Sequence, residues 1–317
     1  MNVDFDVVVI GGGPAGAGAA IACARAGVGV ALLEPMTVGG EAMNLPEVEE
    51  LPESAMASGP DLVATLTERV LAEDVVLRLG ETASALEREG EGWSVVADSG
   101  TISASAVVLA SGAAPVGLPE SPEPIEGEVH EEGVFSCASC DAPLYGDRRV
   151  AVAGGGDTGV GAALTLSPYA REVVLFEREE QLTCQEVLGR RLAELPNVKV
   201  RFGCEVLGSE GTGSFEGVKV ATPTGEAVEQ VDGVMLAVGM RPRSGLAAPH
   251  VELDEAGAIR VRPSLESDAP QLYAAGDVRE GAAWRCAAAW GDGLTVARSL
   301  LLGLKAGTPA RRSTSGD

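Results

Sequence analysis

Lysine is almost missing from this chain: it occurs only at positions 199, 219 and 305, and histidine only at 130 and 250. With 23 basic against 47 acidic residues, the formal net charge is −24. Nucleic acid and anionic membrane are excluded as natural partners, since both would be repelled. Such a charge reads as a solvated surface, as in a salt-rich cytoplasm or a GC-rich genome that swaps Lys for Arg, with electrostatic steering of a basic partner as the alternative. A zinc site is also excluded, because it wants a second close cysteine pair or well-spaced histidines. An exported disulfide scaffold is not supported either, since Cys23, Cys184, Cys204 and Cys286 are scattered singly and are expected to be small buried hydrophobes. Aromatic residues make up only 3 % of a chain with 42 glycines. That excess of small residues suits tightly turned α/β units rather than a sandwich or a coiled coil. A membrane span is missing too. Val7 to Leu33 comes nearest, but Gly11-Gly12-Gly13-Pro14 would break the helix and Arg25 would lie inside the bilayer. The first residues are acidic where a secretory signal is basic, so a cytoplasmic protein is expected.

What is present is one pattern written twice. Val7-Val8-Val9-Ile10 is a run of strand formers leading into Gly11-Gly12-Gly13-Pro14-Ala15-Gly16, then a helix-forming stretch, then a second apolar run ending at Glu34. Gly11 permits a tight turn, Gly13 lets a pyrophosphate approach the backbone, and Gly16 lets helix pack on strand. The helix N-terminus faces the phosphates, and the terminal carboxylate accepts from ribose hydroxyls. Val150 to Ala153 then leads into Gly154-Gly155-Gly156-Asp157-Thr158-Gly159, and the following strand ends at Glu177. Gly11 to Glu34 and Gly154 to Glu177 are both separations of 23 residues. One such turn is weak evidence in a glycine-rich chain; two in the same context are strong.

A third element repeats: the strands before Gly112 and Gly239 each enter an A-x-G-x-x-P turn, at Ala110–Pro115 and Ala237–Pro242. This implies a duplicated architecture. Linkers at Pro115–Pro124 and Arg241–Pro249 predict a first domain of residues 1–117 and 246–317, with a middle domain of 118–245 inserted into it. The fold class expected is α/β, with two Rossmann-like domains. Gly92–Ile102 and Gly217–Val231 read as short antiparallel strands, and residues after Ala306 as a loose tail.

The close cysteine pair, Cys137-Ala138-Ser139-Cys140, falls in the middle domain and is followed by Asp141. Two intervening residues let one thiolate attack a disulfide while the other resolves the mixed disulfide. The only histidine near the motif is His130, so Asp141 is the candidate general acid and base, which would require burial to raise its pKa.

With these motifs in this order, the sequence resembles the low-molecular-weight, bacterial-type thioredoxin reductase family over nearly its whole length. The residues carrying the resemblance are Gly11–Gly16 with Glu34, Gly39-Gly40, Cys137–Asp141, Gly154–Gly159 and Ala274-Ala275-Gly276-Asp277-Val278. The resemblance implies FAD on the first unit, with Gly11, Gly13, Pro14, Ala15, Gly16 and Glu34 as contacts. Gly40, Gly112, Gly276 and Asp277 are carried over likewise, as are Arg285 and Cys286. It implies a pyridine nucleotide, NADH or NADPH, on the second unit, at Gly154, Gly156, Gly159, Glu177 and Arg178. It further implies a homodimer with a rotating middle domain, and a thioredoxin-like protein or small disulfide as substrate. Cys140 would face the flavin and Cys137 would attack that substrate.

Two departures stand out. The family's basic His-Arg-Arg stretch, which holds the 2′-phosphate of NADPH, is here Glu177-Arg178-Glu179, and the downstream arginine is Thr183. NADH is therefore expected over NADPH. Ferredoxin as donor, oxygen as acceptor from a dithiol, and a sensor without turnover remain as alternatives. Near the flavin, an Arg-Gln-Ala stretch of the family is here Trp284-Arg285-Cys286.

Overall fold

The computed structural model describes residues 3–45, 47–48, 58–120, 133–212 and 214–305. His130, Pro122 and Pro124 of the expected linker, and the expected tail after Ala306 lie outside the described residues. The chain divides into two compact units, residues 1–113 with 242–317, and residues 114–241.

The first unit opens with β1 (Phe5–Ile10), α1 (Pro14–Arg25), β2 (Val30–Glu34), α2 (Gly59–Leu71) and β3 (Val75–Leu79), followed by β4 (Ala83–Glu89), β5 (Gly92–Ala97) and β6 (Gly100–Leu109). β1 lies between β2 and β6, parallel to both, and β3 extends the sheet beyond β2. β6 serves two partners along one edge. Its start pairs antiparallel with β5, while Val107–Leu109 pairs parallel with the late strand Leu272–Ala274. The segment Gly92–Ile102 is thus a hairpin built onto a parallel sheet.

β1 is buried on both faces. Val7 and Val9 join a core with residues of α1, whereas Val8 and Ile10 join another with Trp93 and Val95. Such a strand needs no polar alternation, which is why it reads as one apolar run. Each fully buried valine contributes about 2 kcal/mol of transfer free energy.

β7 (Ala113–Pro115) carries the chain out of the first unit. The second unit contains β8 (Val134–Phe135), α3 (Ala138–Asp141), β9 (Arg149–Ala153), α4 (Asp157–Leu166), β10 (Glu172–Glu177), α5 (Glu186–Ala193) and β11 (Val198–Phe202). It continues through β12 (Glu205–Glu210), β13 (Gly217–Thr222), β14 (Gly225–Glu229) and β15 (Gly233–Leu236), before β16 (Met240–Pro242) leads back. Its parallel sheet has the order β11-β10-β9-β15-β8, and β12-β13-β14 form a separate antiparallel sheet. Again the central strand is buried on both faces, with Val150 and Val152 in one core and Ala151 and Ala153 in another.

The unit boundaries fall at 113/114 and 241/242, where the prolines suggest 117/118 and 245/246. The crossings are made by β7 and β16, each ending on a proline, rather than by the loops after them. The returning chain adds Leu272–Ala274 and the long helix α6 (Cys286–Lys305). α6 packs on α1 through small residues. A Cβ at Gly293 would overlap the Ala15 carbonyl oxygen, and one at Gly18 would come within 3.1 Å of the Trp290 carbonyl oxygen. The glycine content therefore lets these two helices approach closely. Among the described residues, no helix is long and apolar enough to cross a membrane.

Candidate functional site

The two glycine turns have the same geometry. Gly11 and Gly154 take φ values of +101° and +107°, a region that side chains other than glycine rarely adopt. A Cβ at either would overlap a carbonyl oxygen, that of Ala110 or of Ala237. Five residues on, a Cβ at Gly16 would overlap the Gly11 carbonyl, and one at Gly159 the Gly154 carbonyl. Between them, Gly13 and Gly156 precede the first residues of α1 and α4 in extended conformation. Among the described residues, nothing beyond the adjoining chain lies within 4 Å of a Cβ built at Gly13, and at Gly156 the one such neighbour is Thr183 Oγ1 at 3.7 Å. Space is thus left open against the backbone at the positive end of each helix, where a pyrophosphate fits.

The two carboxylates are also equivalent. Glu34 accepts from the Gly12 N–H at 2.7 Å and the Met36 N–H at 2.9 Å. Glu177 accepts from the Gly155 N–H at 2.8 Å and the Glu179 N–H at 2.9 Å. Both side chains are buried. An ionised carboxylate offers about four acceptor positions, so these bonds leave capacity for a ribose diol. The loop after each strand is tied back to the same turn: Gly39 N–H donates to the Gly12 carbonyl at 2.8 Å, and Thr183 N–H to that of Gly155 at 3.1 Å. Gly40 lies at φ +51°, and a Cβ on it would be 3.4 Å from Gly13 Cα.

The surroundings of Glu177 differ from those of Glu34. Arg178, the one cation of the stretch, pairs with Glu179 at 3.4 Å, and both side chains are exposed. At the start of α4, Asp157 accepts from Gln185 N–H at 2.7 Å and Gln185 Nε2 at 2.9 Å. The sequence carries no signal of this link, which joins residues 28 apart with no periodic signature.

Cys137 and Cys140 form a disulfide with a Cα–Cα distance of 5.4 Å. Cys137 caps the short helix α3, its sulfur accepting from the Cys140 N–H at 3.2 Å. A donor at that sulfur favours its thiolate once the bond is reduced. Cys137 and Asp141 are half-buried and Cys140 is exposed, so Asp141 lacks the deep burial its assigned role calls for. Tyr145 stacks on Phe135 with ring centroids 4.7 Å apart. The pKa of its hydroxyl is pushed up to about 12, first by burial and then by the charges of Asp141 and Asp232, so it stays protonated at working pH.

In the first unit, Gly276 and Asp277 form a single 3-10 turn, Gly276–Val278. Burial, and then the charge of Asp292, raise the Asp277 carboxyl above its usual range, while Arg279 lowers it. Gly112, at φ +66°, accepts from Arg243 N–H at 2.9 Å. Trp284, at φ +55°, is exposed, as is Arg285, and Cys286 opens α6 half-buried. The lone cysteines split. Cys23 and Cys204 are buried as expected, with the Cys23 thiol pushed up to about 12 by burial, but Cys184 and Cys286 are only half-buried. Both stand at loop-to-helix junctions, Cys184 at the margin of a core of the second unit and Cys286 at the first position of α6. No cluster of metal-ligating side chains occurs among the described residues.

This combination of a duplicated dinucleotide turn and a dithiol motif in the second unit matches known proteins. The profile of the family described as pyridine nucleotide-disulphide oxidoreductase matches residues 5–293, and the chain belongs to that family. FAD and NAD(P)H are its cofactors. The chain is similar to thioredoxin reductase of T. acidophilum, with a TM-score of 0.86 and 30 % identity, covering 95 % of this chain and 99 % of that one. It is 32 % identical to an NADH dehydrogenase of Bacillus subtilis (strain 168) over 92 % of this chain and 57 % of that protein. It is 34 % identical to the F component of alkyl hydroperoxide reductase from Pseudomonas putida over 86 % of this chain and 53 % of that protein. The chain therefore spans about half the length of the curated relatives it matches.

Proposed function

We propose that the chain is an FAD-dependent disulfide oxidoreductase that takes electrons from NADH in preference to NADPH and delivers them, through Cys137–Cys140, to a thioredoxin-like disulfide. The observation that carries this reading is the Glu177 carboxylate. It is buried, doubly held by backbone N–H groups, and oriented as Glu34 is in the first unit. A carboxylate there accepts from a free 2′-hydroxyl but repels a 2′-phosphate carrying about two negative charges. Arg178 is already engaged by Glu179, and Thr183 brings no cation. A relative whose name specifies NADH is consistent with that choice.

In this reading Gly11, Gly13, Pro14, Ala15, Gly16 and Glu34 hold the adenosine diphosphate half of FAD. Gly40, Gly112, Gly276, Asp277, Arg285 and Cys286 lie along the rest. Gly154, Gly156, Gly159, Glu177 and Arg178 hold the nicotinamide nucleotide. Bound FAD would supply a two-electron carrier between the nicotinamide hydride and the Cys137–Cys140 disulfide. Cys140 is the flavin-side sulfur. The Cys137 thiolate then attacks the partner disulfide, and the Cys140 thiolate resolves the mixed disulfide, which releases the partner as a dithiol and re-forms the Cys137–Cys140 bond. Asp141 remains the residue assigned to supply and take up the proton, and its half-buried setting requires the bound partner to complete the shielding that raises its pKa. We place the reaction in the cytoplasm, where thiols are kept reduced, and in a homodimer.

A second reading keeps the flavin and cysteines but replaces the nucleotide by ferredoxin as donor, or by oxygen as acceptor. The acids Glu177, Glu179 and Glu180 around the second turn favour it. Anaerobic titration of the FAD-loaded protein separates the two. Reduction by NADH at concentrations where NADPH is ineffective supports the first reading. Faster reduction by NADPH defeats it, and reduction by neither, with reduction by ferredoxin, establishes the second.

A further inference from the structure

One carboxylate closes the Asp277 turn from both sides. Asp292 Oδ2, on α6, accepts from the Gly276 N–H at 3.0 Å and from Arg279 Nε at 2.6 Å. Its Oδ1 accepts from Arg279 Nη2 at 2.9 Å. Asp277 therefore lies between two residues fixed to the same side chain. The pair is bidentate and largely shielded, with side-chain exposures of 17 % and 13 %. A planar guanidinium meets two carboxylate oxygens in few orientations, so the contact specifies geometry as well as adding energy. Arg279 Nη1 also donates to the Glu280 carbonyl at 2.8 Å, so the same side chain fixes the segment leaving the turn. Gly276, at φ +75°, lies where a Cβ would be 3.0 Å from the Ala15 Cβ. The turn is thus held against the first residues of α1, beside the first glycine turn.

We propose that Arg279 and Asp292 are positioning residues for the flavin: their ion pair sets the Asp277 turn against the start of α1 so that Asp277 can receive the ribityl chain of FAD. The proposal rests on the assignment of FAD to the first unit and extends it to two side chains that need not touch the cofactor. The charged groups acting on Asp277 are Asp292 from α6 and Arg279 from its own turn. Removing Arg279 alone would leave two carboxylates facing each other in a shielded site. Removing both members of such a pair is commonly less damaging than removing one.

The test is FAD binding by the full chain, followed by flavin fluorescence, together with the pH at which bound FAD is released on acidification. Arg279→Met is expected to weaken FAD at least tenfold and to move acid release to higher pH, because Asp277 would protonate more readily. Arg279→Lys, which keeps the charge without the fork, should weaken FAD while leaving the release pH near that of the native protein. The double variant Arg279→Met/Asp292→Asn should recover part of the shift. A packing role alone would weaken FAD equally in all three and move no midpoint, which would overturn the proposal. So would native affinity in Arg279→Met. If that variant does not fold, the lysine and double variants carry the comparison. A native protein that binds no FAD overturns the flavin assignment and the proposal together, whereas failure in the variants alone overturns only the ion pair's role.

Discussion

Glu177 accepts a hydrogen bond from the Gly155 N–H at 2.8 Å, with the side chain only 5 % exposed. That bond joins the end of β10 to the turn that opens α4, so the carboxylate cannot swing away without leaving a buried donor unpaired. Such a loss costs about 1–3 kcal/mol, or roughly a factor of ten for each 1.4 kcal/mol. Glu177→Ala is therefore expected to raise the KM for NADH about tenfold or more with a smaller change in kcat. Glu177→Arg should in addition improve reduction by NADPH. Stopped-flow reduction of the flavin by each nucleotide checks both. An equal effect on the two nucleotides would mean that Glu177 supports the turn without reading the ribose.

The glycine contacts allow the two units to be disabled separately. A methyl at Gly16 or at Gly159 has no space, because the carbonyl of Gly11 or Gly154 occupies it. Overpacking of this kind costs about 3 kcal/mol locally. Gly16→Ala should yield protein that retains little FAD. Gly159→Ala should stay yellow but lose reduction by NADH, while chemical reductants still reduce its flavin. Flavin stoichiometry and anaerobic absorbance measure both outcomes. Normal NADH reduction in Gly159→Ala would remove the second turn from the nucleotide site.

These turns were readable in the sequence because their requirements are local. A positive φ at Gly11 and Gly154, and a carbonyl in contact with the residue five positions on, admit little but glycine. Strands β1 and β9 were equally plain, being buried on both faces. β3 and β4 were not. Val76 and Leu79 on β3 are exposed hydrophobics, and β4 reads Ala-Ser-Ala-Leu-Glu-Arg-Glu with one buried residue. Their pairing, not their composition, makes them strands. The Arg279–Asp292 pair was hidden for a different reason. Thirteen residues separate its members, one on a loop and one on α6, and such a contact exists only after the helix has docked. Asp141 was chosen by elimination, and its half-buried setting could not be read from its neighbours.

The cysteine assignment makes an asymmetric prediction. With Cys140 as the flavin-side sulfur, Cys137→Ser should show a long-wavelength charge-transfer band from the Cys140 thiolate to oxidised FAD. Cys140→Ser should lack the band and should trap a mixed disulfide with the partner through Cys137. Titration of absorbance with pH in both variants checks this. The band in Cys140→Ser alone would invert the two roles.

Asp277 sets binding against stability. Its carboxyl is raised above its usual range by burial first and by Asp292 second, with Arg279 acting in the opposite direction. For a carboxylate with a raised folded-state pKa, the unfolded chain gives up its proton more readily than the native one. The destabilisation is complete above the folded pKa and absent below the unfolded pKa. In the FAD-free protein, Asp277→Asn should therefore melt at a higher temperature than the native chain near pH 7. The difference should shrink as the pH falls through the raised carboxyl pKa. The same substitution should weaken FAD binding, because the amide is a poorer acceptor for ribityl hydroxyls. Melting of the FAD-free proteins across pH, together with FAD titration, tests both halves. A variant that melts lower than the native chain at neutral pH would show that the carboxylate contributes hydrogen bonds worth more than its burial costs. One that melts higher and binds FAD undiminished would leave Asp277 with no part in holding the cofactor.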